Sequence, residues 1–236
     1  MDFMLLFIDR KEARSGEPAG MAELNRFSDE LARQGKLRRA APLGPEAAGA
    51  RIRVRGGKAF VIDGPFAESK EVVGGFWIVD VAGRDEAVEI ARRAFELGEP
   101  RPHARGGVIE VHCARDPEVV ADPGKGAPFL LAFQMEPGLT DPDGSKLAEM
   151  IAFGETLKQE GKFVETAPLA KDPPPARIQA RRGKTVVTDG PFAESKDVVG
   201  GYSLVRVASR AEAIALATRY PHAKWGPVEV RELLSL

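Results

Sequence analysis

The chain has 236 residues, 43% of them hydrophobic and 29% charged, with a net charge of −1 and one cysteine, Cys113. That length holds one large domain or two ordinary ones, and Lys and Arg are spread too evenly for the basic stripe of a nucleic-acid-binding surface. A single cysteine excludes an intrachain disulfide framework and fits a reducing cytoplasm, the expected location.

In chain order, MDFMLLFIDRKE opens with an apolar run too short for a signal-peptide core or a membrane span, so no membrane association is expected. FMLLFI (3–8) reads instead as a short strand covered on both faces. After a polar loop, Met21, Leu24, Phe27 and Leu31 keep the spacing of an amphipathic helix that ends at Gly35. KLRRAAPL (36–43) is a short strand, and RIRVRGGKAFVIDG (51–64) alternates and turns at Gly56–Gly57, the pattern of a hairpin. GGFWIVDVA (74–82) is a strand, RDEAVEIARRAFE (84–96) a helix and GVIEVHC (107–113) a closing strand.

The same order then repeats. A shift of 126 residues lays FLLAFQ (129–134) on the first strand and LAEMIAFGETLKQEGKFVETAPL (147–169) on residues 21–43, with nine of 23 positions identical. Met150, Phe153 and Leu157 renew the helical stripe, and RIQARRGKTVVTDG (177–190) renews the hairpin. The second copy then runs seven residues shorter, and the two rejoin at PHARGGVIEV (102–111) and PHAKWGPVEV (221–230). The reading is a tandem duplication: a first unit over 1–115, a linker over 116–127 (DPEVVADPGKGA) and a second unit over 128–236. Each unit is a ferredoxin-like βαββαβ fold of the α+β class carrying one extra hairpin. Such a sheet has helices on one face only, yet Phe76 and Ile78 point one way and Trp77, Val79 and Val81 the other. A second sheet packed on the bare face, around a pseudo-twofold axis within the chain, would cover both sets. Two independent units, each dimerising with another chain, are the alternative.

Within the duplication one segment drifted least. DGPFAESKEVVGG (63–75) and DGPFAESKDVVGG (189–201) differ at one position of thirteen, Glu71 against Asp197. As structure, it is a turn: the aspartate accepts backbone N–H bonds, glycine and proline shape the bend, and Phe66 and Phe192 anchor it. As chemistry, Asp63 and Asp189 supply a base or orient a ligand. Glu68 and Lys70, with Glu194 and Lys196, then supply a further carboxylate and an ammonium for an anion, or else a local ion pair. Gly64, Pro65, Phe66, Gly190, Pro191 and Phe192 complete the candidate ligand-binding loops. The glycine pairs at 74–75 and 200–201 either admit a ligand or relieve a bulge. His103 and His222, matched in the two PHA segments, are candidates for acid–base work or for satisfying a helix end. Arg55 and Arg181, beside the hairpin turns, are candidate anion ligands or solvated charges. His112 faces Arg231 in the alignment and receives no functional weight. No zinc spacing, phosphate loop, dinucleotide fingerprint or nucleophile elbow is present, so no metal or cofactor is expected.

The segment from Asp63 to Lys70, running into GGFWIVDV, resembles the signature of the DGPF family within the YCII-related superfamily. IEVH (109–112) and VEVR (228–231) resemble that family's last strand. The resemblance implies a dimeric α+β barrel, normally built by two chains and here by the two copies. Relatives of the YciI type have a suspected catalytic His–Asp pair. Neither first helix of this sequence has a histidine, which leaves Asp63 and Asp189 as the carboxylate counterparts. The resemblance also implies an association with extracytoplasmic-function sigma factors. The expected function is small-molecule binding, or an unassigned enzyme activity, at a pocket near the DGPF loop of each repeat. A regulatory module with a sigma factor as partner is the alternative, and the chain is expected to be a monomer or a homodimer.

Overall fold

The computed structural model describes residues 1–10, 20–67, 71–98, 107–121, 125–135, 139, 141, 143–181, 184–190, 192 and 198–234. The first half contains β1 (Asp2–Arg10), α1 (Met21–Arg33), β2 (Leu37–Pro42), β3 (Ala50–Arg55), β4 (Lys58–Asp63), β5 (Glu71–Asp80), α2 (Arg84–Gly98) and β6 (Val108–Ala114). A two-residue strand, β7 (Glu118–Val119), lies in the segment read from sequence as linker. The second half repeats the pattern as β8 (Ala127–Met135), α3 (Ser145–Gln159), β9 (Phe163–Pro168), β10 (Ala176–Arg181), β11 (Lys184–Asp189), β12 (Val198–Val207), α4 (Arg210–Arg219) and β13 (Val228–Glu232). None of the described helices is long and apolar enough to cross a membrane.

The strands form two sheets, ordered β11-β10-β6-β1-β5-β2 and β4-β3-β13-β8-β12-β9-β7. Interchange the halves and the first order becomes the second, apart from β7. Within each sheet the four strands of one half stand in the ferredoxin-like order, β6-β1-β5-β2 or β13-β8-β12-β9. The extra hairpins are exchanged. β3–β4 of the first half pairs with β13 of the second, with Ile52 opposite Val228, and β10–β11 of the second pairs with β6 of the first, with Ile178 opposite Ile109.

Strand alternation sorts the apolar side chains into three layers. Phe3, Leu5, Trp77, Val79 and Val81 face α1 and α2, where Phe27, Leu31 and Phe95 meet them. Phe129, Leu131, Phe133 and Val205 face α3 and α4 in the same way. Between the sheets, Met4, Leu6, Phe76 and Ile78 pack against Leu130, Val164, Tyr202 and Leu204. The face left bare by the helices is therefore covered by the other sheet, as the two-sided apolar pattern of GGFWIVDVA requires. The sheets also join at their corners through bridges between Leu43 and Leu233 and between Ala114 and Leu169. The result is an α+β barrel with four layers, helix–sheet–sheet–helix.

The exchange of hairpins gives the doubled segment its architectural meaning. Asp63 ends β4 in one sheet and β5 starts at Glu71 in the other, so the DGPF segment is the crossing between sheets; its second copy connects β11 to β12. The glycine pairs that follow mark bulges. Phe7 faces Gly75 and Ile8 faces Val73, leaving Gly74 as the extra residue, and Gly200 is skipped in the same way between Val199 and Gly201.

Candidate functional site

Because the hairpins are exchanged, each DGPF aspartate meets the other half of the chain. Asp63 is ion-paired to Arg210 at the start of α4, and Arg210 also donates to the carbonyls of Ala48 at 2.7 Å and Gly49 at 3.1 Å. Asp189 is ion-paired to Arg84 at the start of α2, and Arg84 donates to the carbonyl of Pro174 at 2.9 Å. Each arginine is thus a clasp holding the end of a hairpin against a helix that follows the crossing in the opposite half. The aspartate side chains remain 70% and 65% exposed, so neither sits in an enclosed reaction centre.

The rest of the motif supports this crossing. Gly64 Cα lies so close to the Glu46 carbonyl that a β-carbon there would approach its oxygen to 2.0 Å. Pro65 follows on a cis bond. Phe66 is buried, and the Arg51 guanidinium stacks on its ring, 4.1 Å from the centroid. In the second copy Phe192 receives Arg177 at 4.7 Å, and the β-carbon of a residue at Gly190 would meet the Pro175 ring. Glu68, Lys70, Pro191, Glu194, Lys196 and His103 lie outside the described residues. Arg55 and Arg181 are exposed at the turn ends of their hairpins, opposite Lys58 and Lys184. Each is five residues along its strand from the residue facing the DGPF aspartate, roughly 17 Å at the rise of a strand, and the structure does not bring it to that carboxylate.

Beneath each phenylalanine lies a buried charged cluster on the sheet-to-sheet side. Arg51 pairs with Glu229 of β13 at 2.9 Å, Gln134 donates to the same carboxylate at 3.0 Å, and the buried Arg231 donates to it at 3.2 Å. On the other side Arg177 pairs with Glu110 of β6, the His112 ring N–H donates to that carboxylate at 2.9 Å, and Glu71 lies 3.8 Å from Arg177. Burial alone would raise the pKa of Glu110, but the hydrogen bonds and charges of His112 and Arg177 outweigh it and hold the carboxyl below its usual value. The glutamates belong to IEVH and VEVR. His112 and Arg231 hold the same place in this pattern, each a donor to the glutamate two residues before it. The alignment mismatch that removed His112 from consideration is therefore an exchange of one donor for another.

His222 sits at the edge of the second-half cluster. Its ring is buried between Phe133 and Trp225, and Nε2–H donates to the Gln134 carbonyl at 2.9 Å. Burial lowers its pKa from the ordinary value, the charge of Arg53 adds to this, and the bond to Gln134 opposes it in part, so the imidazole is neutral at pH 7. The ring lines a cavity of about 440 Å³ whose walls include Met135, Met150 and Trp225 with Lys146 and Lys171. A continuous path of bonded groups joins this cavity to the first DGPF loop: His222 to the Gln134 backbone, the Gln134 amide to Glu229, Glu229 to Arg51, and Arg51 to the Phe66 ring. The histidine and the DGPF loop that approach each other thus come from opposite halves. Among the described residues no group of three or more His, Cys, Asp or Glu side chains is placed to hold a metal ion.

The YCII-related domain matches residues 1–111 and again residues 127–236. The chain belongs to the YCII-related family. As a YCII-related protein it is 42% identical over 72 residues to an uncharacterized protein of Rhizobium meliloti (strain 1021), a match covering 30% of this chain and 58% of that relative's length. It also aligns with the crystal structure of "Putative Chlorite dismutase TA0507", at a TM-score of 0.41 and 9% identity over 99% of this chain and 94% of that one. In this YCII-related chain the residues that sequence reasoning missed are Arg51, Arg177, Glu110, Glu229 and the two clasp arginines. A signal for them was present: the shift of 126 matches Arg51 with Arg177 and Arg84 with Arg210 as surely as it matches the DGPF segments. Their partners stood on other elements, and only the hairpin exchange brings them together.

Proposed function

We propose that this YCII-related protein binds a small molecule in the cavity beside His222, and that the first DGPF loop braces the cavity wall from the opposite half. The observation that carries this reading is the cavity itself. Its volume of about 440 Å³ falls in the range of small-ligand sites, and apolar Met135, Met150 and Trp225 stand beside a neutral imidazole, two ammonium groups and one carboxylate, Asp141, which already accepts the backbone N–H groups of Lys146 and Leu147. That lining suits a compact apolar body bearing one anionic group, such as a carboxylate. The DGPF aspartates then serve the frame of the site, because Arg210 and Arg84 already engage them.

Trp225 makes the test direct. The chain has two tryptophans, so a Trp77→Phe protein reports from the cavity alone. Titration with a panel of aromatic and aliphatic carboxylates is expected to give a saturable fluorescence change for at least one class. Lys171→Ala should weaken it and Met150→Phe, which crowds the cavity without adding a second fluorophore, should weaken it further. No saturable change across the panel, or binding indifferent to both variants, would overturn the reading.

A further inference from the structure

Strand β4 is an open edge, the end of the seven-stranded sheet, and all six of its residues are exposed. Edge strands are ordinarily blunted by charge or covered. Here the middle of the strand reads Phe60-Val61-Ile62, and these side chains are 53%, 45% and 63% exposed. The matched edge of the other sheet is different: β11 reads Val186-Val187-Thr188 at the same positions, and three of its six residues are half-buried. One edge of the two has remained apolar and open.

The backbone of β4 decides what fits that edge. Gly56 and Gly57, both at positive φ, close a two-residue turn, so Arg55 and Lys58 form the hydrogen-bonded pair next to it. By alternation Lys58, Phe60 and Ile62 direct their backbone groups to β3, and Ala59, Val61 and Asp63 direct theirs outward. A second β4 laid antiparallel, with Val61 opposite Val61 of the copy, pairs all three outward residues: Ala59 with Asp63, Val61 with Val61, Asp63 with Ala59. The same placement sets Phe60 of each strand beside Ile62 of the other on one face and Val61 beside its own copy on the opposite face. The strand is its own complement.

We propose that two copies of the chain pair through β4 in this register, forming a closed two-fold dimer whose joined sheet runs through both molecules. The interface is isologous and uses one edge per chain, so it does not propagate into a filament.

Light scattering after size exclusion tests this on the full chain. The wild-type protein is expected at twice the chain mass, Val61→Lys at the chain mass with unchanged circular dichroism, and Val187→Lys, at the matched place on β11, at twice the chain mass. A second measurement holds even if Val61→Lys folds poorly. Val61→Cys should cross-link to its own copy under mild oxidation, since directly paired strand residues fall within disulfide reach, and Val187→Cys should not. A wild-type monomer overturns the proposal, as does a dimer that survives Val61→Lys or yields to Val187→Lys. A Val61→Cys protein that stays uncross-linked while dimeric overturns the register.

Discussion

Arg39 and Glu165 occupy the same position in the two halves of the chain, and they are bonded to each other. Arg39 Nε donates to Glu165 Oε2, across the interface between the two sheets. In a barrel built from two identical subunits, each residue here would face its own copy, and burying like charges would be costly. The fused chain has instead placed a cation in one half and an anion in the other. Neighbouring positions follow suit: Arg38, 3.7 Å from Glu165, stands where the second half has Val164, and Tyr202, whose hydroxyl donates to Glu165 at 2.7 Å, stands where the first has Phe76.

Glu165 is fully buried, so removing its charge leaves Arg39 without its carboxylate against an apolar layer, while Arg38 keeps its ion pair with Asp2. Glu165→Gln is expected to cost about 3–5 kcal/mol in urea unfolding. Arg39→Gln should cost less, because Glu165 keeps Arg38 and the Tyr202 hydroxyl. The double variant should cost less than the sum of the two. Additive losses, or a larger effect from Arg39→Gln, would remove the pairing from the account of the interface.

The two phenylalanines of the doubled segment predict unequal losses. Phe66 is buried under Arg51, so Phe66→Ala should cost about 3–5 kcal/mol. Phe192 is half-buried, and Phe192→Ala should cost clearly less in the same denaturation assay. Equal values would mean that the two crossings are packed alike.

The aspartates should behave in the opposite manner. Asp63→Asn and Asp189→Asn each break an exposed ion pair, and each is expected to cost less than about 1 kcal/mol. Carboxylate binding read from Trp225 should stay unchanged. A variant that loses binding while melting like the wild type would return these aspartates to the reaction chemistry.

His222 and Glu110 set the pH dependence. Both titrate below their ordinary values in the folded protein, so the unfolded chain takes up these protons more readily. The stability linked to His222 is fully present above its unfolded pKa of about 6.5 and declines as pH falls through its lower folded value. Glu110 adds a second decline below about 4.5. His222→Gln, whose amide can reach the Gln134 carbonyl, should flatten the first decline, and Glu110→Gln the second. Unfolding midpoints measured from about pH 8 down to about pH 2 check both, and a wild-type curve that rises on acidification contradicts the assignment.

Much of the fold was legible because duplication shows every pattern twice. Helix stripes, hairpin turns and the two-faced apolar strands each follow from local spacing, and the need for a second sheet follows from Trp77 and Phe76 pointing in opposite directions. The exchange of hairpins was not legible. RIRVRGGKAFVIDG predicts a hairpin equally well beside its own sheet or the other, since β6 and β13 offer nearly the same strand, IEV or VEV. The candidate site suffered from the same gap. Asp63 and Phe66 stood out by their retention, but Arg210, Arg51 and Glu229 are ordinary surface-type residues until the crossing sets them together. His112 was hidden by a substitution that keeps its role and changes its name.

The crossed hairpins also bear on how the molecule comes apart. A chain of two similar repeats invites the picture of two beads that melt one after the other. Here, unravelling either repeat would strip two strands from the edge of the other's sheet and loosen the arginine that secures them. The repeats are expected to stand or fall together, giving one calorimetric transition where the sequence spells two units.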